Sequence, residues 1–442
     1  MSRRRVLFIA YYFPPLGGGG VQRSAKFVRY LPDHGFDPIV LTGPGPTDER
    51  WAPTDVSGGD DVPTGVRVIR VAGPVPNGER VWRSRLRKLT CAPTAFDRWW
   101  SREVADVARG VRDVDVIYAS MSPFSSAGPA AMLARHFGVP WIADLRDPWA
   151  LEEYFEYPTA LHLSLERRRM RRSLASAAAL VLPTPGTLER VQEAFPEFRG
   201  RAVEIRNGFD PDEFDGGDER RSDDLFHLVH AGNFYFHHEP RRGIRRLLGG
   251  MNGDVDLLPR SPAFLLKALD RLCDEQPEVG LRMRLHLAGV LTPVERAMVE
   301  RARCRCQVEV HGFLPHAETV RLISSADALF LPMHALSSGV RSTIFPGKAY
   351  EYLASGRPIL AAVPAGDARE VIERAEWTVV CDPDDVGAMA DGLVTLADQR
   401  DQRRQENANR TELLRPFERP RLASQLAGVL DHALSTNGRR PA

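Results

Sequence analysis

Apolar residues in this chain gather in short runs, at residues 6–12, 38–42, 66–71, 114–119, 140–143, 178–182 and 203–205, the first of them continuous. Runs without polar alternation predict strands covered on both faces, as in a parallel sheet. Between them the spacing turns helical: Val21, Ala25, Val28 and Leu31 fall on one face of a helix over 21–31. Residues 43–65 are rich in Pro, Gly and Asp and read as a loop. The stretch PDEFDGGDERRSDD at 211–224 is acidic and poor in aliphatics, and reads as a linker. After it the alternation restarts, with strands at 226–231, 282–287, 308–311, 328–332, 358–362 and 378–381. Helical patterns lie at 263–272, 318–325, 369–374 and 386–396, and a last helix is expected over 411–434. Residues 235–260 form a long Arg/Gly-rich insertion. The pattern predicts an α/β chain of two parallel-sheet domains, 1–215 and 216–410, followed by a C-terminal segment 411–442.

Open parallel sheets bind ligands beyond the carboxyl ends of their strands, so residues just after the runs come first. The stretch GVRSTIFPGKAYEYLASGRP, 339–358, follows the run at 328–332. Pro346 suits the first turn of a short helix and Gly356 its end. The helix N-terminus presents free N–H groups and a partial positive charge, to which Lys348 adds a full one. Glu351 sits one turn further in and could accept two hydroxyl hydrogen bonds. A phosphate site beside a diol-binding carboxylate suits a sugar nucleotide; an ordinary surface helix is the other reading.

After the first run, residues 17–20 are four glycines, which let a backbone approach a ligand closely. The dinucleotide spacing G-x-G-x-x-G fails, because Arg23 stands where a third small residue is needed. A flexible turn and a ligand loop both remain open, and a nicotinamide oxidoreductase is disfavoured. The run at 140–143 ends in Asp144, Arg146 and Asp147, either an ion-pair cluster or a ligand site. Segment 80–100 mixes Arg and Lys with Trp82, Trp99 and Trp100, and residues 167–172 hold five arginines. Each reads as a solvated face or as peripheral membrane contact.

Composition narrows the classes. The chain has 442 residues, 43% hydrophobic and 26% charged, enough for two domains. A formal net charge of +1 argues against a nucleic-acid partner. Only Lys26, Lys88, Lys267 and Lys348 are lysines among 59 basic residues. Five scattered cysteines fit a reducing cytoplasm and no disulfide framework. Arg3–Arg5 before VLFIAYYF mimics an export signal, yet Pro14, Pro15 and the glycines follow, so a first strand is expected.

In order along the chain stand FPPLGGGGVQRSAKFVRYL, WIADLRDPW, IRNGFDPDEF, HAGNFY, HLAG, VHGFLPHAE and FPGKAYEYLASGRPI. Over residues 4–400 this set resembles a GT-B-fold glycosyltransferase of family 4, the retaining group. The resemblance implies two facing Rossmann-like domains, the first for acceptor and the second for a nucleotide-sugar donor, with a C-terminal crossover helix. It implies transfer, without a metal or cofactor, to a glycan or lipid-linked acceptor. By motif position, Gly18 and Gly19 would lie against the donor diphosphate. Glu351 matches the second Glu of E-x7-E, which holds ribose hydroxyls, and Lys348 the basic residue of a subgroup reading P-x-K-x-x-E-Y. Arg260 is the candidate phosphate-binding Arg, with Arg242 in EPRRG its rival. Asn233 stands where some members carry Arg. The first Glu of E-x7-E is replaced by Thr343, so either the sugar is held differently or the chain is a non-catalytic sugar-nucleotide-binding subunit. Asp144, Arg146 and Asp147 would orient acceptor or sugar.

Overall fold

The computed structural model describes residues 3–45, 54–55, 61–73, 75–76, 93–214, 223–234, 244, 247–250, 255–303, 305–375, 378–400 and 410–437. Trp82, Lys88, Cys91, Arg242 and Cys304 lie outside the described residues. The chain divides into two compact units, one of 1–207, 239–253 and 419–442, the other of 208–238 and 254–418.

In the first unit, strands β1 (Arg4–Ile9), β2 (Phe36–Thr42), β3 (Arg67–Arg70), β4 (Val116–Ser120), β5 (Trp141–Asp144), β6 (Ala179–Leu182) and β7 (Ala202–Glu204) form one sheet. Its order is β3-β2-β1-β4-β5-β6-β7 and every pairing is parallel. Helices α1 (Gly19–Tyr30), α2 (Ala95–Ala108), α3 (Ala127–Phe137), α4 (Ala160–Leu174) and α5 (Pro185–Ala194) connect the strands. The apolar runs are explained by burial on both faces. Leu7, Ile9, Leu41 and Ile117 pack into one core, and Val6, Phe8, Val40 and Val116 into another. Helix starts follow from side-chain caps: Thr94 and Asp97 form a reciprocal capping box at α2, and Thr184 accepts from the Thr187 N–H at α5.

In the second unit, β8 (Phe226–Ala231), β10 (Met283–Ala288), β11 (Gln307–Gly312), β12 (Ala328–Pro332), β14 (Ile359–Ala362) and β15 (Thr378–Cys381) form a parallel sheet ordered β11-β10-β8-β12-β14-β15. Two short strands, β9 (Val255–Asp256) and β13 (Ala335–Leu336), pair antiparallel beside it. The helices are α6 (Ala263–Glu275), α7 (Pro293–Arg301), α8 (His316–Ser324), α9 (Gly347–Ser355), α10 (Asp367–Ile372), α11 (Val386–Asp398) and α12 (Arg410–Leu414). The chain re-enters the first unit as α13 (Arg419–Asn437), whose Leu422, Leu426 and Leu430 join the core containing Val6 and Phe8.

Two expectations need correction. The single helix over 411–434 is two helices, separated by a 3-10 turn at Arg415–Phe417 and an extended Glu418. Pro416 and Pro420 lack the N–H that a continuous helix would use. Trp100, read as part of a basic-aromatic surface, is fully buried. Its indole N–H donates to Ser126 Oγ at 3.0 Å, and its ring meets Tyr11 edge-on. Cys273, Cys306 and Cys381 are buried free thiols.

Candidate active site

In the second unit the stretch 339–358 folds as its punctuation predicts. Pro346 is extended at the N-cap of α9, and Gly356 ends the helix at φ 65°, where a side chain would be strained. Ala349, Tyr350, Tyr352 and Leu353 are buried, fixing the rotation of the helix. The Tyr352 hydroxyl accepts from the Ala231 N–H at 2.7 Å and so fastens α9 to the end of β8. Desolvation pushes the Tyr352 pKa up, keeping it a neutral hydroxyl.

This attachment sets Lys348 over Gly232, the first residue after β8. A Cβ on Gly232 would lie 3.2 Å from Lys348 Nζ, a tight contact, and φ there is +94°, a conformation that favours glycine. Lys348 Nζ lies 3.1 Å from His230 Nε2. His230 Nδ1 is 3.0 Å from the Phe330 carbonyl, which only accepts, so Nδ1 carries the proton and Nε2 accepts from the lysine. The His230 ring stacks on Phe234 at 4.1 Å. Burial first, then the Lys348 charge, pushes the His230 pKa well below its usual value, so the ring is neutral. Burial, and next the Arg260 guanidinium, lowers the Lys348 pKa to about 7, against the opposing pull of Glu351. Arg260 is buried at the end of the turn Leu258–Arg260 that leads into α6.

The structure therefore brings Arg260, Lys348 and Glu351 together at the end of β8, with two cations close enough to depress one of them. Two cations near a helix N-terminus can attract a multiply charged anion. Asn233 is adjacent, and its Oδ1 accepts from the Val290 N–H at 2.8 Å, joining the exits of β8 and β10. Thr343 is buried beside Ser342, whose N–H donates to Ala365 O at 2.8 Å and whose carbonyl accepts from Asp367 N–H at 3.1 Å. His230 and Tyr352 were not singled out in the sequence. The signal for His230 is its period-two offset from Gly232 at a strand end.

In the first unit, Gly18 caps α1 at φ 90°. Arg146 crosses to the same loop, and its Nη1 donates to Gly20 O at 2.8 Å. This contact ties Arg146 to the start of α1, one residue beyond Gly19. Asp144 stands apart from it: fully buried, it is held by Arg23 and receives the Tyr118 hydroxyl. Asp147 is exposed. Nearby, Trp149 holds φ 50°, an uncommon value for a bulky residue. Glu152, unremarked in the sequence, is buried; burial, then the charges of Asp147 and Glu153, raises its pKa to about 8.

Comparison with known proteins agrees with this architecture. The "Glycosyl transferase 4-like domain" family model matches residues 18–208. The "Glycosyl transferases group 1" model matches residues 258–399. The chain belongs to the GT-B glycosyltransferases of the family 4-like group. A glycogen synthase of Mycobacterium tuberculosis is 24% identical over 96% of this chain and 94% of its own length. Among solved structures, a glycosyltransferase from Rickettsia africae superposes with TM-score 0.62 at 12% identity, covering 98% of this chain and 99% of that one. Anabaena HepE, solved with UDP-glucose, gives TM-score 0.58 at 16% identity, covering 97% and 99%. These two likenesses establish the shared fold.

Proposed function

We propose that the protein transfers a sugar from a nucleoside-diphosphate donor to a glycan or lipid-linked acceptor, with retention of configuration. The observation that carries this is the electrostatically coupled pair Arg260 and Lys348, the latter in the first turn of α9, with Glu351 one turn along the same helix. In this reading Arg260 and Lys348 hold the diphosphate and stabilise the charge that develops as the sugar–phosphate bond breaks. Glu351 accepts the ribose hydroxyls. Gly18 and Gly19 approach the diphosphate, and Arg146, tied to that loop, orients donor or acceptor. Thr343 contacts the transferred sugar in place of a carboxylate. The acceptor oxygen bonds to the anomeric carbon on the leaving-group face, and a phosphate oxygen takes the acceptor's proton. Two cations and helical N–H groups supply the charge that a metal would otherwise bring, so the transfer is read as metal-independent. HepE, solved with UDP-glucose, makes a UDP-sugar the first donor to test.

A lipid-linked acceptor at the cytoplasmic membrane face has support in α4. Leu161 and Leu165 are exposed, and Arg168 and Arg172 continue the same stripe at helical spacing. Among the described residues no helix is long and apolar enough to cross a membrane.

The test is a thermal-shift and turnover screen against nucleotide-sugars, with Glu351→Ala beside the wild type and the product anomer read by NMR. One donor should stabilise the wild type and not the variant, and its anomeric configuration should persist in product. Inversion overturns the retaining assignment. Donor binding without turnover on any acceptor overturns the transferase reading. Wild type that ignores anionic liposomes overturns the lipid-linked part.

A further inference from the structure

Away from the donor site, three histidines form a row across adjacent strands of the second sheet: His227 on β8, His286 on β10 and His311 on β11. Their rings stack at centroid distances of 5.1 and 5.3 Å. His227 Nδ1 lies 2.9 Å from His286 Nε2, and His286 Nδ1 lies 3.0 Å from His311 Nε2. His227 and His286 are buried, while the His311 side chain is 26% exposed.

The direction of the row is set at its inner end. Asp223 lies 2.9 Å from His227 Nε2, and an ionised carboxylate only accepts, so His227 Nε2 carries a proton. In the tautomer that carries a single proton on each ring, His227 Nδ1 is then a lone pair and accepts from His286 Nε2–H. The lone pair of His286 is therefore on Nδ1, facing outward. It meets Glu309 Oε2 at 3.3 Å, so two acceptors converge on one point. The other carboxylate oxygen of Glu309 is held by Arg284 Nη1 at 3.0 Å, which leaves Oε2 for that point.

The three outward atoms, His286 Nδ1, His311 Nε2 and Glu309 Oε2, are separated by 3.0, 3.3 and 4.0 Å. Tetrahedral ligands 2.0–2.1 Å from a zinc ion stand about 3.3 Å apart. A break in strand register produces this convergence. Leu287 pairs with Val310 but Ala288 pairs with Gly312, so His311 is an extra residue in the edge strand, and Gly312 absorbs the kink at φ 70°.

We propose that His286, Glu309 and His311 bind a divalent ion of the Zn2+ type, with a solvent molecule at the open fourth position. Asp223 and His227 act as positioning residues, fixing the tautomer of His286 as carboxylate–histidine pairs do behind metal ligands. The ion clamps edge strand β11 to β10. The competing arrangement is a hydrogen-bonded ladder in which His311 Nε2–H simply donates to His286.

The experiment uses the full chain with any polyhistidine tag removed, stripped by chelator and titrated with Co2+ and then Zn2+. The site should take one equivalent of Co2+ with the visible absorption of a tetrahedral ion. Zn2+ should bleach that absorption and raise the melting temperature. His311→Ala and Glu309→Gln should lose the absorption while keeping the wild-type circular dichroism. Asp223→Asn should weaken Co2+ binding by roughly 10–100-fold. No tetrahedral absorption with wild type overturns the proposal in favour of the ladder, and absorption retained by both ligand variants also overturns it.

Discussion

Arg23 grips Asp144 with two parallel hydrogen bonds, Nε to Oδ2 at 2.7 Å and Nη2 to Oδ1 at 3.0 Å, in a pair almost wholly withdrawn from water. The same guanidinium donates to the carbonyls of Ile205 and Arg206 and to Asn207 Oδ1. It therefore ties α1, the end of β5 and the chain beyond β7 to one another. Removing one member of such a pair strands the other charge, at a cost of about 3–5 kcal/mol. Arg23→Ala and Asp144→Ala should each lower the denaturation midpoint substantially, and the double variant should lose much less than their sum. Additive losses would show that the pair is not the unit of stability. Asp144→Asn with wild-type stability but no activity would return Asp144 to the chemistry.

The lowered pKa of Lys348 gives donor binding a pH dependence. Near neutrality the free protein holds this amine about half protonated, at a pKa of about 7. A bound diphosphate favours the ammonium, so binding takes up a proton. Above pH 7 the affinity for a nucleoside diphosphate should fall, by up to about tenfold per pH unit. Lys348→Met should bind weakly with a flat profile. For the ligand-free protein the sign is opposite. Between pH 7 and about 10 the unfolded chain carries the extra proton, so stability rises with pH across that window. Calorimetry in buffers of different ionisation enthalpy measures the uptake; none at pH 7.5 would contradict this account.

These two residues also show what the sequence could and could not disclose. The parallel strands were legible because burial on both faces writes itself as apolar runs, and α9 because Pro346 and Gly356 mark its ends. Arg23 was legible only as a failure, the residue that spoiled a glycine fingerprint. Its partner is 121 residues away, and nothing local announces a long-range ion pair. His230 was hidden for a similar reason: inside an apolar strand a histidine reads as core until the helix bearing Lys348 is laid over it. The break at Glu418 is marked in the sequence only by Pro416 and Pro420, because apolar residues recur on both sides of them.

Gly366 should be irreplaceable. A Cβ there would sit 2.0 Å from Ser342 O, at φ 140°, and the obstacle is backbone that cannot rotate away. The Ser342 carbonyl is also the acceptor for the Asp367 N–H at the start of α10. Gly366→Ala should displace residues 341–343 and cost on the order of 3 kcal/mol. It should lower turnover with the proposed donor while donor binding persists, unlike Glu351→Ala, because Thr343 moves. Thermal melts and steady-state kinetics check this; wild-type values in both would show that the Ser342–Gly366 contact carries no positional role.

Glu152 predicts an alkaline instability confined to the first unit. Its folded pKa of about 8 lies above the ordinary value of 4.5, because burial and the neighbouring charges of Asp147 and Glu153 oppose ionisation, and Arg190 offsets them only in part. Between those two values the folded chain holds a proton that the unfolded chain has released. Stability is therefore retained at low pH and lost as pH rises through 8. Glu152→Gln fixes the neutral form. At pH 9 the variant should be more stable than wild type by up to about 4–5 kcal/mol, and at pH 5 by less than about 1 kcal/mol. The measurement is the difference in melting temperature between variant and wild type across pH 5–9. A difference that does not grow with pH would mean that Glu152 ionises in the folded protein at its ordinary value, with Arg190 compensating the acidic cluster in full.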